Sequence, residues 1–203
     1  MWNSQVIIML LEGIRDTLYM TLASTLFGYI IGLPMGIVLT VTDKDGIRPN
    51  TAVYKVLDVI SNLLRSIPFI ILLIVLIPFT RFVVGRSYGS TATIVPLTIA
   101  AAPYIARMVE SSLKEVDAGV IEAARSMGAS DFQIVTKVML VEARTSLIVG
   151  ATISLGTILG YSAMAGTVSG GGLGDIAIRY GYTRWQTDIM VVTVVLLVIL
   201  FQI

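Results

Sequence analysis

The sequence has no cysteine and no histidine among its 203 residues. That excludes a disulfide framework, a thiolate or imidazole metal site and a Ser-His or Cys-His nucleophile pair. Charge is scarce as well: Asp, Glu, Lys and Arg make up 13% of the chain, against about 25% in soluble domains. The 14 basic and 13 acidic residues leave a formal charge of +1. The basic residues are scattered singly, so the electrostatic footprint of a nucleic-acid binder is missing. No GxxxxGK[ST] cradles a nucleotide phosphate. Gly172-x-Gly174-x-x-Ala177 imitates a dinucleotide fingerprint but follows no strand, and reads instead as a glycine-rich outer loop. Catalytic residues, metal ligands and cofactors are accordingly expected to be absent.

What the chain does have is apolar bulk, with 56% hydrophobic residues and uncharged stretches at 17–42, 66–80, 87–106, 145–174 and 189–203. A helix needs about 20 mostly apolar residues to cross the hydrocarbon. The expected fold is therefore an all-α integral membrane protein, a single domain with five transmembrane helices at about 17–42, 59–80, 87–109, 145–168 and 185–203. Residues 1–20 carry Glu12, Arg15 and Asp16 and lack a basic start, so they read as an amphipathic lead-in helix and not as a cleaved signal. The last stretch meets the chain end without a polar flank, which predicts that the natural chain continues past Ile203.

Lys44, Arg48, Lys55, Arg65, Arg107, Lys114, Arg125, Lys137 and Arg144 fall on one side of this arrangement, and Arg15, Arg81, Arg86, Arg179 and Arg184 on the other. By the positive-inside rule the first group is cytoplasmic. The N-terminus is then outside the cytoplasmic membrane and the C-terminus inside.

Pro34, Pro68, Pro78, Pro96 and Pro103 lie in or beside the spans and predict bent helices. Gly28, Gly32 and Gly36, and Ser146, Gly150 and Ser154 with Gly156 and Gly160, form small-residue faces suited to close helix packing. No Asp or Glu interrupts the uncharged stretches, so the ionisable group that a proton- or sodium-coupled carrier uses is missing. Any pumping must draw energy from a partner. In the fourth span Tyr161, Ser162 and Met164 offer mixed polar and soft apolar contacts, and are expected to line a pathway or gate.

The longest polar stretch, about 110–142, has helix-turn-helix grammar. Val120, Ile121, Ala124 and Met127 share one face, Gly128 suits a left-handed C-terminal position, and Ser130-Asp131-Phe132-Gln133 reads as a capping box. Lys114 reads as an exposed charge. An amphipathic helix lying on the membrane surface fits the same apolar face.

Glu122-Ala123-Ala124, Gly128 and Val138-Met139-Leu140, at their spacing, resemble the EAA loop of ABC importer permeases. Val138 replaces the usual Ile, and Val141 stands where the family often has Pro. The resemblance spans almost the whole chain. It is most similar to the methionine import branch in Gly32-Leu33-Pro34, in Arg65-Ser66-Ile67-Pro68 and in Gly160-Tyr161-Ser162-Ala163-Met164-Ala165-Gly166. It implies a non-catalytic permease that moves an amino acid, most nearly methionine, by alternating access. The implied partners are a second copy of the chain, an ATP-binding cassette ATPase dimer, an extracytoplasmic substrate-binding protein, the amino-acid substrate and membrane lipid. It also implies a coupling helix between spans three and four, with Glu122, Ala123, Ala124, Met127, Gly128 and Ala129 docking on the ATPase. A permease for another small amino acid, and a self-contained channel or facilitator, are the alternatives.

Overall fold

The computed structural model describes residues 4–202, and every regular element among them is helical. The chain runs through α1 (Ser4–Thr42), α2 (Thr51–Ser66), α3 (Phe69–Val75), α4 (Ile77–Val84), α5 (Ser90–Lys114) and α6 (Ala118–Ser126). It continues through α7 (Asp131–Gln133), a π-helical turn at Ile134–Met139, α8 (Leu140–Glu142) and α9 (Arg144–Met164). A 3-10 turn at Ala165–Val168, α10 (Gly172–Ile176), a second π-helical turn at Ala177–Tyr182 and α11 (Thr187–Gln202) complete it.

The expected spans appear as helices with three departures. The lead-in helix is not separate, since α1 runs unbroken for 39 residues, about 58 Å at 1.5 Å per residue. The second stretch does not form one helix over 59–80. Helix α2 begins earlier and ends before Pro68, with α3 starting only after it, because a proline disfavours helical geometry at the residue before it and removes a backbone donor. The glycine-rich 172–174 segment is not a loop but the start of α10, with Leu173 fully buried. Three helices, Ser4–Thr42, Ser90–Lys114 and Arg144–Tyr182, are each long and apolar enough to cross a membrane. The fifth stretch forms α11, with 16 residues, about 24 Å. Ile203, the last position of that expected span, lies outside the described residues.

Two compact units can be distinguished, one of Met1–Leu26, Ile67–Ala100 and Leu155–Ile203 and the other of Phe27–Ser66 and Ala101–Ser154. In the first, Leu10 of α1 packs with Leu173, Ile176 and Ile189. Thr17 ties α1 to α10 there: its hydroxyl donates to the Gly13 carbonyl at 2.8 Å and accepts from the Leu173 amide at 2.9 Å. In the second unit α1 lies directly on α5. A Cβ on Gly36 would stand 2.5 Å from the Ala106 carbonyl oxygen, and one on Gly32 2.7 Å from that of Ala102. The glycine stripe thus permits the two backbones to approach within a distance no side chain allows. The small face of α9 behaves similarly: Gly150 opposes Met108, and the Ser146 hydroxyl donates to that of Ser112 at 3.0 Å. Away from these contacts, Leu22, Leu26 and Ile30 on α1 and Ile148 and Val149 on α9 are exposed. Apolar surface on this scale suits hydrocarbon and not water.

Candidate functional site: the coupling turn and its supports

Helix α6 starts with Asp117, whose carboxylate accepts the Gly119 amide at 2.7 Å, a cap contributing about 1 kcal/mol. It ends in paired bonds: the Gly128 amide donates to the Arg125 carbonyl at 3.0 Å and the Ala129 amide to the Ala124 carbonyl at 3.1 Å. This 5→2 and 6→1 pattern is the Schellman motif. It requires a left-handed residue, and Gly128 has φ +82°. Ser130 then opens the next helix with the expected capping box. Its hydroxyl accepts the Gln133 amide, while its own amide donates to Gln133 Oε1 at 2.9 Å. The result is a tight, fully bonded turn between two helices.

Of the face expected on α6, Ala124 is buried, against the layer formed by the π-helical turn at Ile134–Met139; Ile121 is half-buried, while Val120 and Met127 are exposed. Met127 is 81% and Phe132 77% exposed. Glu122, Ala123 and Gly128 are exposed and Ala129 is half-buried, so the EAA positions face outward except Ala124. Glu122 and Arg125 border a cleft of about 190 Å³ with Asp45, Gly46 and Ile47, and Arg125 donates to the Ile47 carbonyl at 2.9 Å. The segment that follows turns at Ala143 (φ −77°, ψ 1°) before α9. Val141 stands where the resembling pattern often has proline, and helical bonds run on through this point, from the Ala143 amide to the Met139 carbonyl and from the Leu147 amide to the Ala143 carbonyl, each at 2.9 Å; the irregularity of the segment is the π-helical turn ahead of it.

The expected pathway residues lie in the other unit. The Tyr161 ring stacks on Phe69, centroids 4.7 Å apart and planes 5° from parallel. Met164 is 46% exposed. Ser162 is buried and its hydroxyl donates to the Leu159 carbonyl at 2.7 Å, so its polar group is used within its own helix.

Within the unit that carries the turn, the structure assembles charges that sequence reasoning had divided between a loop and a surface. Glu110 is not part of a polar loop; it belongs to α5 and is buried. Its Oε2 accepts Arg107 Nη1 at 2.7 Å, and its Oε1 accepts Lys114 Nζ at 2.8 Å and the Tyr54 hydroxyl at 3.2 Å. Arg107 also pairs with Asp58 of α2 and donates to Asn62 Oδ1 at 3.3 Å. Lys114 is not a free surface charge, for it reaches Asp43 at 2.7 Å. That bond holds the Asp43 carboxyl below its ordinary range. Spacing of three and four along α5 was the available signal for one shared face, but nothing in it named Asp58 and Asp43 as the opposing groups.

Comparisons with known proteins place the chain in a family. The profile described as binding-protein-dependent transport system inner membrane component matches residues 18–203. The probable D-methionine transport system permease protein MetI of Vibrio cholerae is 48% identical over 96% of this chain and 87% of its own. The D-methionine transport system permease protein MetI of Escherichia coli is 54% identical over 78% and 73%. An inward-facing MetNI methionine ABC transporter superposes with a TM-score of 0.97 at 50% identity, covering 99% of this chain and 93% of that one. An amino acid ABC transporter with histidines shares the fold, at TM-score 0.78 and 20% identity. The chain belongs to the inner membrane components of binding-protein-dependent transport systems, multi-pass and all-helical.

Proposed function

We propose that this chain is the permease subunit of an ABC importer that brings methionine across the cytoplasmic membrane by ATP-driven alternating access. The observation that carries the reading is the match to the MetNI methionine transporter at 50% identity over nearly the full chain, joined to relatives named as D-methionine permeases. The chain itself is non-catalytic; hydrolysis resides in a separate ATPase dimer. Two copies of the permease assemble on it, and an extracytoplasmic binding protein delivers the amino acid.

Five crossings place the N-terminus outside and the C-terminus in the cytoplasm. Support comes from the two units: all nine basic residues assigned to the cytoplasmic side lie in the unit of Phe27–Ser66 and Ala101–Ser154, and all five others lie in the unit of Met1–Leu26, Ile67–Ala100 and Leu155–Ile203. Lipid covers the exposed apolar faces.

The outward-facing Met127 and Phe132 beside the Gly128 turn are the apolar anchors that insert into the ATPase, with Glu122, Ala123 and Ala129 framing them and buried Ala124 seating the helix beneath them. Tyr161 and Met164 line the pathway, and Ser162 supports it by locking its helix turn.

Reconstitution with the cognate ATPase and binding protein tests the reading. Methionine should stimulate ATP hydrolysis and accumulate in the vesicles, whereas other small amino acids should not. Uptake of a different amino acid in preference to methionine would reassign the substrate, and uptake without ATP would reject the importer.

A further inference from the structure

Helix α2 is amphipathic, yet part of its polar side, with Tyr54, Asp58 and Ser61, turns inward. Tyr54, Asp58 and Asn62 reach Glu110 and Arg107 on α5, and Ser61 is the buried residue of the helix. Its apolar residues Val53, Val56, Ile60 and Leu63 are exposed. A helix normally joins its neighbours through its apolar side. Here the specific attachments recorded between α2 and α5 are charged and hydrogen-bonded, and they converge on Glu110, both of whose carboxylate oxygens are occupied. Lys114, one turn further along α5, extends the same lattice to Asp43 behind α1. Only residues 115–117 then separate α5 from α6. Buried ion pairs are a poor way to gain stability compared with apolar packing, but their geometry is strict, so they fix which groups move together.

We propose that Glu110 and Arg107 are positioning residues that lock α2 and the Asp43 connection to the cytoplasmic end of α5, so that displacement of the coupling helix α6 is delivered to α2. The proposal rests on the importer reading above. Arg107 is the bridge, because one guanidinium reaches a carboxylate on α2 and another on α5. Glu110 is the hub, because it alone joins Arg107, Lys114 and Tyr54. Loss of a lattice charge therefore uncouples elements without disturbing the Schellman turn that docks.

Two measurements test this, both on the permease assembled with its ATPase and binding protein. The first is methionine taken up per ATP hydrolysed. Glu110→Gln and Arg107→Asp should still co-purify with the ATPase, but their uptake per ATP should fall at least five-fold. Arg107→Lys, which keeps a cation facing both Asp58 and Glu110, should hold the ratio within about two-fold of the parent. A parental ratio in Glu110→Gln, or a ratio in Arg107→Lys as low as in Arg107→Asp, overturns the proposal.

The second measurement needs no transport. In this cysteine-free chain, spin labels on Cys introduced at exposed Thr51 and Ala118 report the distance from α2 to α6. It should stay constant between nucleotide-free and nucleotide-bound parent and change on nucleotide binding in Glu110→Gln. Equal changes in parent and variant overturn the lock whatever the uptake shows. A parent that takes up no methionine counts against the importer reading alone.

Discussion

At the residue scale the decisive position is Gly128. An added Cβ would meet nothing within 4 Å, so any cost of substitution comes from the backbone and not from crowding. The left-handed conformation costs an ordinary L-residue on the order of 1–2 kcal/mol, less for Asn, whose short polar side chain tolerates it, and most for a β-branched residue. Thermal stability of the assembled permease should therefore fall in the order Gly, Asn, Ala, Val. Binding to the ATPase should follow the same order, as read by co-purification. An Ala variant as good as the parent in both would show that the turn is not what the partner recognises. Gly36 on α1 is the opposite case, since its φ is unremarkable and its surroundings are closed. Reading either glycine as merely small would miss this difference, because a stripe in the sequence does not say whether space or dihedral angle sets the requirement.

At the scale of elements, irregularity is placed where partners compensate for it. Pro68 ends α2, and α3 starts after it, with the Ile71 and Leu72 amides donating to the Pro68 carbonyl. Helix α10 is short, and α1 holds its first turn through the Thr17 hydroxyl, which is buried with both its donor and its acceptor role filled. Thr17→Val preserves the shape but leaves the buried Leu173 amide without that acceptor. Such a loss costs about 1–3 kcal/mol. The variant should show a lower midpoint of thermal unfolding in detergent and faster hydrogen exchange at the amides of 172–176. Thr17→Ser, which retains the hydroxyl, should be much closer to the parent. If Ser and Val behaved alike, the methyl contact and not the hydrogen bond would be the tie.

At the scale of the whole molecule, the charge distribution sets an orientation that labelling can read. The central glycines of the connecting segments are poor places for a probe: a Cβ at Gly46 would lie 2.5 Å from two carbonyl oxygens, and Gly171 has φ +84°. Asp45 and Tyr88 are exposed and free of that strain. Single Cys at Asp45 should react with an impermeant maleimide only from the cytoplasmic face, and at Tyr88 only from the outer face. Reaction of both from one side would reject the five-crossing topology.

Composition and local pattern by themselves determined the all-helical membrane class, the family, the Gly128 turn with its capping box and the close packing of the glycine stripe. Each of these follows from short-range chemistry: a run of apolar residues long enough for hydrocarbon, a residue that tolerates positive φ, or side chains three and four apart on one helix. The tertiary structure decided what depends on which helix lies opposite. It made Glu110 a buried hub and not a loop charge, gave Lys114 a partner in Asp43, aimed Asp58 of α2 at Arg107 and turned the Ser162 hydroxyl back on its own helix. An ion pair between residues 49 positions apart leaves no periodic trace, because its energy is set by the desolvation and geometry that arise only when distant segments meet.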